Sequence, residues 1–421
     1  MATTKSLSRG VAVVGAGMSK FGVHKDKSSR DLFVEAYQAM SASVDRGFDL
    51  AEIEAVFVGN YSSEFFEGQG HIAPILADAV GLVPLPATRI EDACASSGAA
   101  IRQGVMAIAS GLHDLVLVGG VEHMTSLSTA QVTDALSAAG DMGFEMASGF
   151  TFPGIFAAMA SAYMHRYGMA PADLHSITLK NHANGALNPE AHFTQAISDI
   201  MAARMEAAIK NGSPLPEWKD ENAFLEDEAA NPFVAWPLRL FDCAPISDGA
   251  ACLLLASAER ARAFTDDPIY VIGSGQASDY SLANHTDLTN MRATRLAAQA
   301  AYEMAGVSPM DIRLAEVHDC FTIAEIIATE DLGFFAPGTG YRMAEDGVTA
   351  RDGPRPVNSS GGLKSKGHPV GATGVGQVVE IWKQMRGEAG PRQVKVDVPL
   401  ALAHNLGGTG SSCVVHIFER R

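Results

Sequence analysis

Four short stretches of this chain put chemically capable side chains among small residues. Cys94 lies in "EDACASSGAAIRQG", His318 and Cys320 in "EVHDCFT", and His368 in "NSSGGLKSKGHPVGATGVGQ". The fourth, "HNLGGTGSS", carries Asn405 and Gly407 after the apolar run "PLALA". Nothing bulky flanks Cys94, and Ile101, Val105 and Ile108 then recur at helical spacing. A thiol at a helix start, near a histidine, is expected to have a lowered pKa and to be usable as a thiolate. Backbone N–H groups at the same helix start can hold an oxyanion. A second thiol can shuttle protons, and Gly-rich turns let backbone approach a substrate closely. Gathered in one pocket, these groups make an acyl-transfer site with a cysteine nucleophile. Taken singly, each has a plainer reading. A lone Cys in an Ala-rich helix packs as a small hydrophobe, a lone buried His is a core residue, and "GHP" is a turn. Cys243, Cys252 and Cys413 sit in apolar or Ala-rich runs and read as packing.

The elements that must position these residues come in two similar sets. "VAVVGAGMS" from Val11 and "IYVIGSGQA" from Ile269 each read as a buried strand ending in a Gly turn. "AEIEAVFVG" is matched by "IRLAEVHDC", the Cys94 segment by "GHPVGATGVGQVVEIWKQM", and "LVLVGGVEHM" by "LALAHNLGGTG". The order is the same in both halves, which predicts a duplicated α/β unit. Each candidate residue then falls where a strand ends or a helix begins, the place where open α/β sheets bind ligands. Residues 121–240 do not fit the repeat. They are Met-, Phe- and Ala-rich early ("MGFEMASGFTFPGIFAAMASAYMHRYG") and charged later. An insertion of this length is either a lid over the site or a helical layer covering the sheet.

The bulk numbers agree with a well-packed soluble protein and not a disordered one. The chain has 421 residues, 47% hydrophobic and 19% charged, enough for two or three packed units. A net charge of −17 argues against nucleic acid or an anionic membrane surface as partner. Five scattered cysteines without a C-x-x-C argue against a disulfide framework or structural zinc and fit a reducing cytosol. The opening has no signal-like apolar run, and no stretch reaches the roughly 18 apolar residues of a membrane span. "VGAGMSKFG" lacks the G-x-G-x-x-G spacing of a dinucleotide turn, and no ligand set points to a metal.

Together, "DACASSGAA", "GGVEHM", "SDGAA", "VHDCFT", "NSSGGLKSKGHPVGATG" and "HNLGGTG" resemble the thiolase family across nearly the whole chain. The H-D-C-F run is most similar to the sterol-carrier-type branch. Most thiolases carry their shuttle thiol in a C-x-G motif near the C-terminus; here that position reads Asn405-Leu406-Gly407, and Cys320 takes its place. The resemblance implies a thiolase fold: two βαβαβαββ halves, 1–268 and 269–421, layered α/β/α/β/α, with 121–240 as a loop domain. It implies thiolytic cleavage of a 3-oxoacyl-CoA through a Cys94 acyl-enzyme, with CoA as cosubstrate and no bound cofactor or metal. His368 would be the base and Cys320 the proton shuttle. His318 and His368 would stabilise the enolate oxygen, and the Cys94 and Gly407 N–H groups the oxyanion. Ser247 and Gly362 are expected toward CoA. A homodimer or higher oligomer is implied, with a small OB-fold, zinc-ribbon subunit as a possible partner. A ketosynthase-like condensing enzyme and an aldolase-like or non-catalytic subunit are the competing readings. The ketosynthase reading wants H-G-T after the first His, where this chain has "HDCF". Straight, branched, steroid-derived and aromatic 3-oxoacyl-CoAs, a benzoylsuccinyl-CoA among them, all stay open.

Overall fold

The computed structural model describes residues 6–280 and 284–421. Its strands are β1 (Val11–Met18), β2 (Ala55–Gly59), β3 (Ala87–Ile90), β4 (Leu115–Glu122), β5 (Phe233–Ala235), β6 (Leu238–Arg239), β7 (Gly249–Ser257), β8 (Ile269–Ser278), β9 (Leu314–Glu316), β10 (Leu400–Gly407) and β11 (Ser412–Arg420). In the first half, β3, β2 and β4 run parallel, and β7 and β1 follow antiparallel. The second half repeats this: β9 and β10 are parallel, and β11 and β8 follow antiparallel. A parallel bridge from Ala315 to Val357 stands where β3 stands in the first half. The predicted duplication is therefore visible strand by strand. The two halves join edge to edge, because Val11–Val13 of β1 pair with Ile269–Val271 of β8, giving one nine-stranded sheet, β3-β2-β4-β7-β1-β8-β11-β10-β9.

Period-two alternation explains the layers. Val11, Val13, Val116, Val118, Leu253 and Leu255 point into a central core. Their neighbours Ala12, Val14, Leu115, Leu117 and Leu254 point to an outer one, under the helices Ser29–Ala42 and Ile72–Ala79. In the second half Ala401, Ala403 and Phe418 face the centre, while Leu402, Val415 and Ile417 face the other outer core. The central layer holds two 14-residue helices, Ser96–Ala109 and Thr373–Arg386. They meet at glycines: a Cβ on Gly374 would collide with the backbone of Gly98 and with Asn405. Between β4 and β7 the chain carries helices Thr129–Ser137, Phe152–Tyr167, His175–Gly185 and Ile197–Asn211, then the β5–β6 hairpin. No helix among the described residues is long and apolar enough to cross a membrane.

Candidate active site

Cys94 is presented by a tight strand-to-helix turn. β3 ends at Ile90, and the helix begins at Ser96. Ala95 N–H donates to the Asp92 carbonyl (2.8 Å), and Ser96 N–H to that of Ala93 (3.1 Å). The Ser96 hydroxyl also donates to Ala93 O (2.6 Å) and accepts from Asp92 N–H (3.0 Å). Ala93 sits at φ 47°, the left-handed region, where an L-residue is strained by about 1–2 kcal/mol. Such strain on a strand-to-helix elbow lifts the next side chain, Cys94, off the end of the sheet.

Cys94, His318, Cys320, His368 and Gly408 line one cavity of about 250 Å³. The Cys94 sulfur and a ring nitrogen of each histidine lie within 4.8 Å of one another. The two imidazoles meet edge to face, with centroids 4.9 Å apart. Leu136, Phe152, Val234 and Phe321 supply an apolar wall. Three of these four come from the β4–β7 connection. The Met- and Phe-rich stretch contributes little to that wall: Phe156, Met159 and Met164 are buried in the outer core, and from it only Phe152 and Pro153, at the start of the Phe152–Tyr167 helix, reach the cavity.

Hydrogen bonds assign different states to the two histidines. Asn405 uses both amide hydrogens, one on the Cys94 carbonyl (3.0 Å) and one on His318 Nδ1 (3.2 Å), while its oxygen accepts from Gly98 N–H (3.2 Å). His318 Nδ1 is thus an acceptor, and its hydrogen sits on Nε2. For His368 the polarity is reversed. The Thr373 hydroxyl donates to the Pro369 carbonyl (3.0 Å), so its oxygen accepts from His368 Nδ1 (2.7 Å). Nε2 of His368 is then a free lone pair. The site therefore holds one donor imidazole and one acceptor imidazole.

Burial keeps every catalytic candidate neutral at rest. The Cys94 thiol is pushed up to about 12, first by burial and then by the Glu122 carboxylate. N–H groups of Gly408 and of Cys94 itself pull the other way and are outweighed. This corrects the expectation of a lowered thiol pKa: half a turn of helix dipole does not offset desolvation. His368 is pushed down to about 3 by burial and then by Lys366. His318 lies well below its ordinary value through burial, His368 and His404, and Cys320 well above through burial, Cys94 and Asp319. A thiol with its proton beside an imidazole without one suits proton transfer coupled to attack, not a standing thiolate.

Some expected contacts fall elsewhere. Ser247 and Gly362 are not among the residues lining the cavity. Ser247 is fully buried beneath it, and its Oγ accepts from the His368 N–H (3.2 Å). Gly362 packs against the Asp319 carboxylate. The turn N–H aimed at the Cys94 sulfur is that of Gly408, one residue after Gly407. Thr373, Glu122 and Gly408 had not been singled out from the sequence. Cys94, His318 and His368 are close enough to hold a metal ion, but the Asn405 bond puts a hydrogen on the His318 nitrogen that a ligand would have to use.

Comparison with known proteins agrees with this architecture. The thiolase N-terminal domain model matches residues 11–259, and the thiolase C-terminal domain-like model matches 274–420. An acetyl-CoA acetyltransferase of Methanothermobacter thermautotrophicus is 44% identical, over 98% of this chain and 100% of that protein. The benzoylsuccinyl-CoA thiolase subunit BbsB of Thauera aromatica is 32% identical over 96% of both. Among solved structures, the Ltp2-ChsH2(DUF35) aldolase superposes with a TM-score of 0.77 at 24% identity, covering 98% of each chain, which speaks for the fold. The chain belongs to the thiolase family and is a CoA-dependent acyltransferase.

Proposed function

We propose that this thiolase cleaves a short 3-oxoacyl-CoA through an acyl-enzyme on Cys94. The observation that carries the reading is the pairing of a protonated thiol with one acceptor and one donor imidazole in a single cavity. Cys94 attacks the 3-keto carbon as its proton passes to His368 Nε2. The keto oxygen becomes an oxyanion and is met by the N–H groups of Cys94 and Gly408. The Cα–Cβ bond then breaks. The departing thioester enolate is held at its oxygen by His318 Nε2–H and takes its proton at carbon from Cys320. CoA returns that proton to Cys320 and attacks the acyl group. Cys94 leaves and recovers its proton from His368, so the site returns to its starting state.

The likeness to an acetyl-CoA acetyltransferase over the whole chain supports an acetyl- or acetoacetyl-sized group over a steroid or aryl chain. Cleavage is the favoured direction, because thiolysis of a 3-oxoacyl thioester runs downhill. Cys320→Ala should slow both half-reactions at least tenfold while substrate still binds; near-wild-type thiolysis by that variant would remove Cys320 from the mechanism. A cytoplasmic homodimer is the assembly this reading implies. A small OB-fold subunit carrying a zinc ribbon is the partner to test for, since a structural relative is described with a DUF35 component. Light scattering showing a strict monomer would contradict the dimer.

A further inference from the structure

Asp319 stands between His318 and Cys320 in sequence, yet it is fully buried and does not line the cavity. Its carboxylate faces away, into a buried polar cluster. One oxygen accepts from Leu363 N–H (2.6 Å), and the other from the Asn181 amide (2.7 Å), with Lys364 N–H at 3.4 Å. Asn181 gives its second amide hydrogen to Glu325 (2.9 Å), which also accepts from Asn358 (2.7 Å) and pairs with Lys180 (2.9 Å). Asn358 in turn accepts from Val317 N–H (2.8 Å). Gly362 is at φ 59° and lies so close to Asp319 that a Cβ would collide with the carboxylate.

Three separate segments therefore meet on one carboxylate. Residues 316–320 bring His318 and Cys320. The segment 358–366 leads within two residues to His368. The helix His175–Gly185 brings Asn181 from the β4–β7 connection. We propose that Asp319 is a positioning residue: a latch that holds the loop of His318 and Cys320 in register with the loop of His368 and with the helix of the insertion. Its oxygens suit this role, because the three groups that hydrogen-bond to it, the Leu363 and Lys364 N–H groups and the Asn181 amide, are all donors, while burial and the nearby Glu325 carboxylate raise it to about 7. An amide of the same shape would set its N–H₂ against one of those donors. The inference rests on the roles proposed above for His318, Cys320 and His368.

The test uses Asp319→Asn and Gly362→Ala in the full chain. The second disturbs the same latch without changing charge. Gly387→Ala is the control, because Gly387 has a similar positive φ (77°) at a helix end with open space around it. Both latch variants should fold cooperatively with a lowered melting temperature, lose at least about tenfold in kcat and keep KM within about threefold. Gly387→Ala should carry the same backbone strain in its melt but keep wild-type kcat and KM. Wild-type kcat in either folded latch variant would overturn the latch, as would a change confined to KM. Failure of both to fold would also overturn it, since a latch that only orients loops leaves the fold standing. Intact mass after exposure to acetyl-CoA is recorded for all four proteins. No adduct on wild type would instead defeat the acyl-enzyme reading, a result distinct from latch failure.

Discussion

Thr373 and Asn405 decide what the two active-site imidazoles can do, although neither is itself a base or a nucleophile. Thr373→Val keeps the shape but removes the acceptor of His368 Nδ1–H. Leaving that buried N–H unpaired costs about 1–3 kcal/mol, and we expect kcat to fall at least tenfold, with Thr373→Ser restoring most of it. A valine variant with wild-type kcat would contradict the assigned tautomer. The reactive residues themselves were legible, because cysteines and histidines among Gly, Ala and Ser stand out as accessible groups. Their partners were not. Thr373 is one Thr among small residues, and its role depends on the Pro369 carbonyl taking its proton. Glu122 reads as an acid at a strand end, yet it is fully buried, accepts from Tyr61 and Ser62 N–H, and is held up at about 8 beside Cys94. Ser247 was expected at the pocket because of its motif, but alternation along the chain puts Ile246 on the cavity side and Ser247 under His368.

At the scale of elements, the two central helices carry the geometry. Their first turns touch through Gly98 and Gly374, and Val375 N–H donates to the Ser97 hydroxyl (3.1 Å). Asn405 is wedged against Gly98, so a Cβ there would meet the Asn405 side chain at 2.8 Å. Gly98→Ala should therefore destabilise by about 1–3 kcal/mol as overpacking does, and lower kcat by moving Asn405 off His318. Thermal melts and steady-state rates check this, and an unchanged melt with unchanged kcat would contradict the packing. The repeated run of strand, helix and Gly turn made the duplication readable. What the pattern did not show was the division of labour inside the insertion. The Phe152–Tyr167 helix is apolar enough to suggest a ligand wall, but it spends its large side chains on the outer core, where Phe156 stacks on Phe321 with centroids 4.7 Å apart.

For the molecule as a whole, the buried ionisable groups set a pH optimum of stability. His368, His404 and His182 are held down at about 3 and His416 at about 4, in each case chiefly by burial. Below their ordinary value of 6.5 the unfolded chain takes up protons that the folded chain refuses, so these groups remove stability as pH falls. In the other direction, burial holds Glu122 at about 8 and Asp331 at about 7, and His123 is raised to about 9, with Glu67 and Asp248 outweighing its desolvation. There the folded chain keeps protons that the unfolded chain has lost, so stability falls as pH rises from about 6.5 toward 9. Urea midpoints should therefore peak in mildly acid solution and decline between pH 6.5 and 9; a midpoint that rises across that window would contradict the assignment.

The central claim is covalent acyl transfer at Cys94, and intact mass tests it most directly. Wild type and Cys94→Ala are exposed briefly to acetyl-CoA and to acetoacetyl-CoA, and each protein is weighed. The account predicts an acetyl adduct on wild type and none on the variant. An equal adduct on both proteins, or none on wild type, would contradict it.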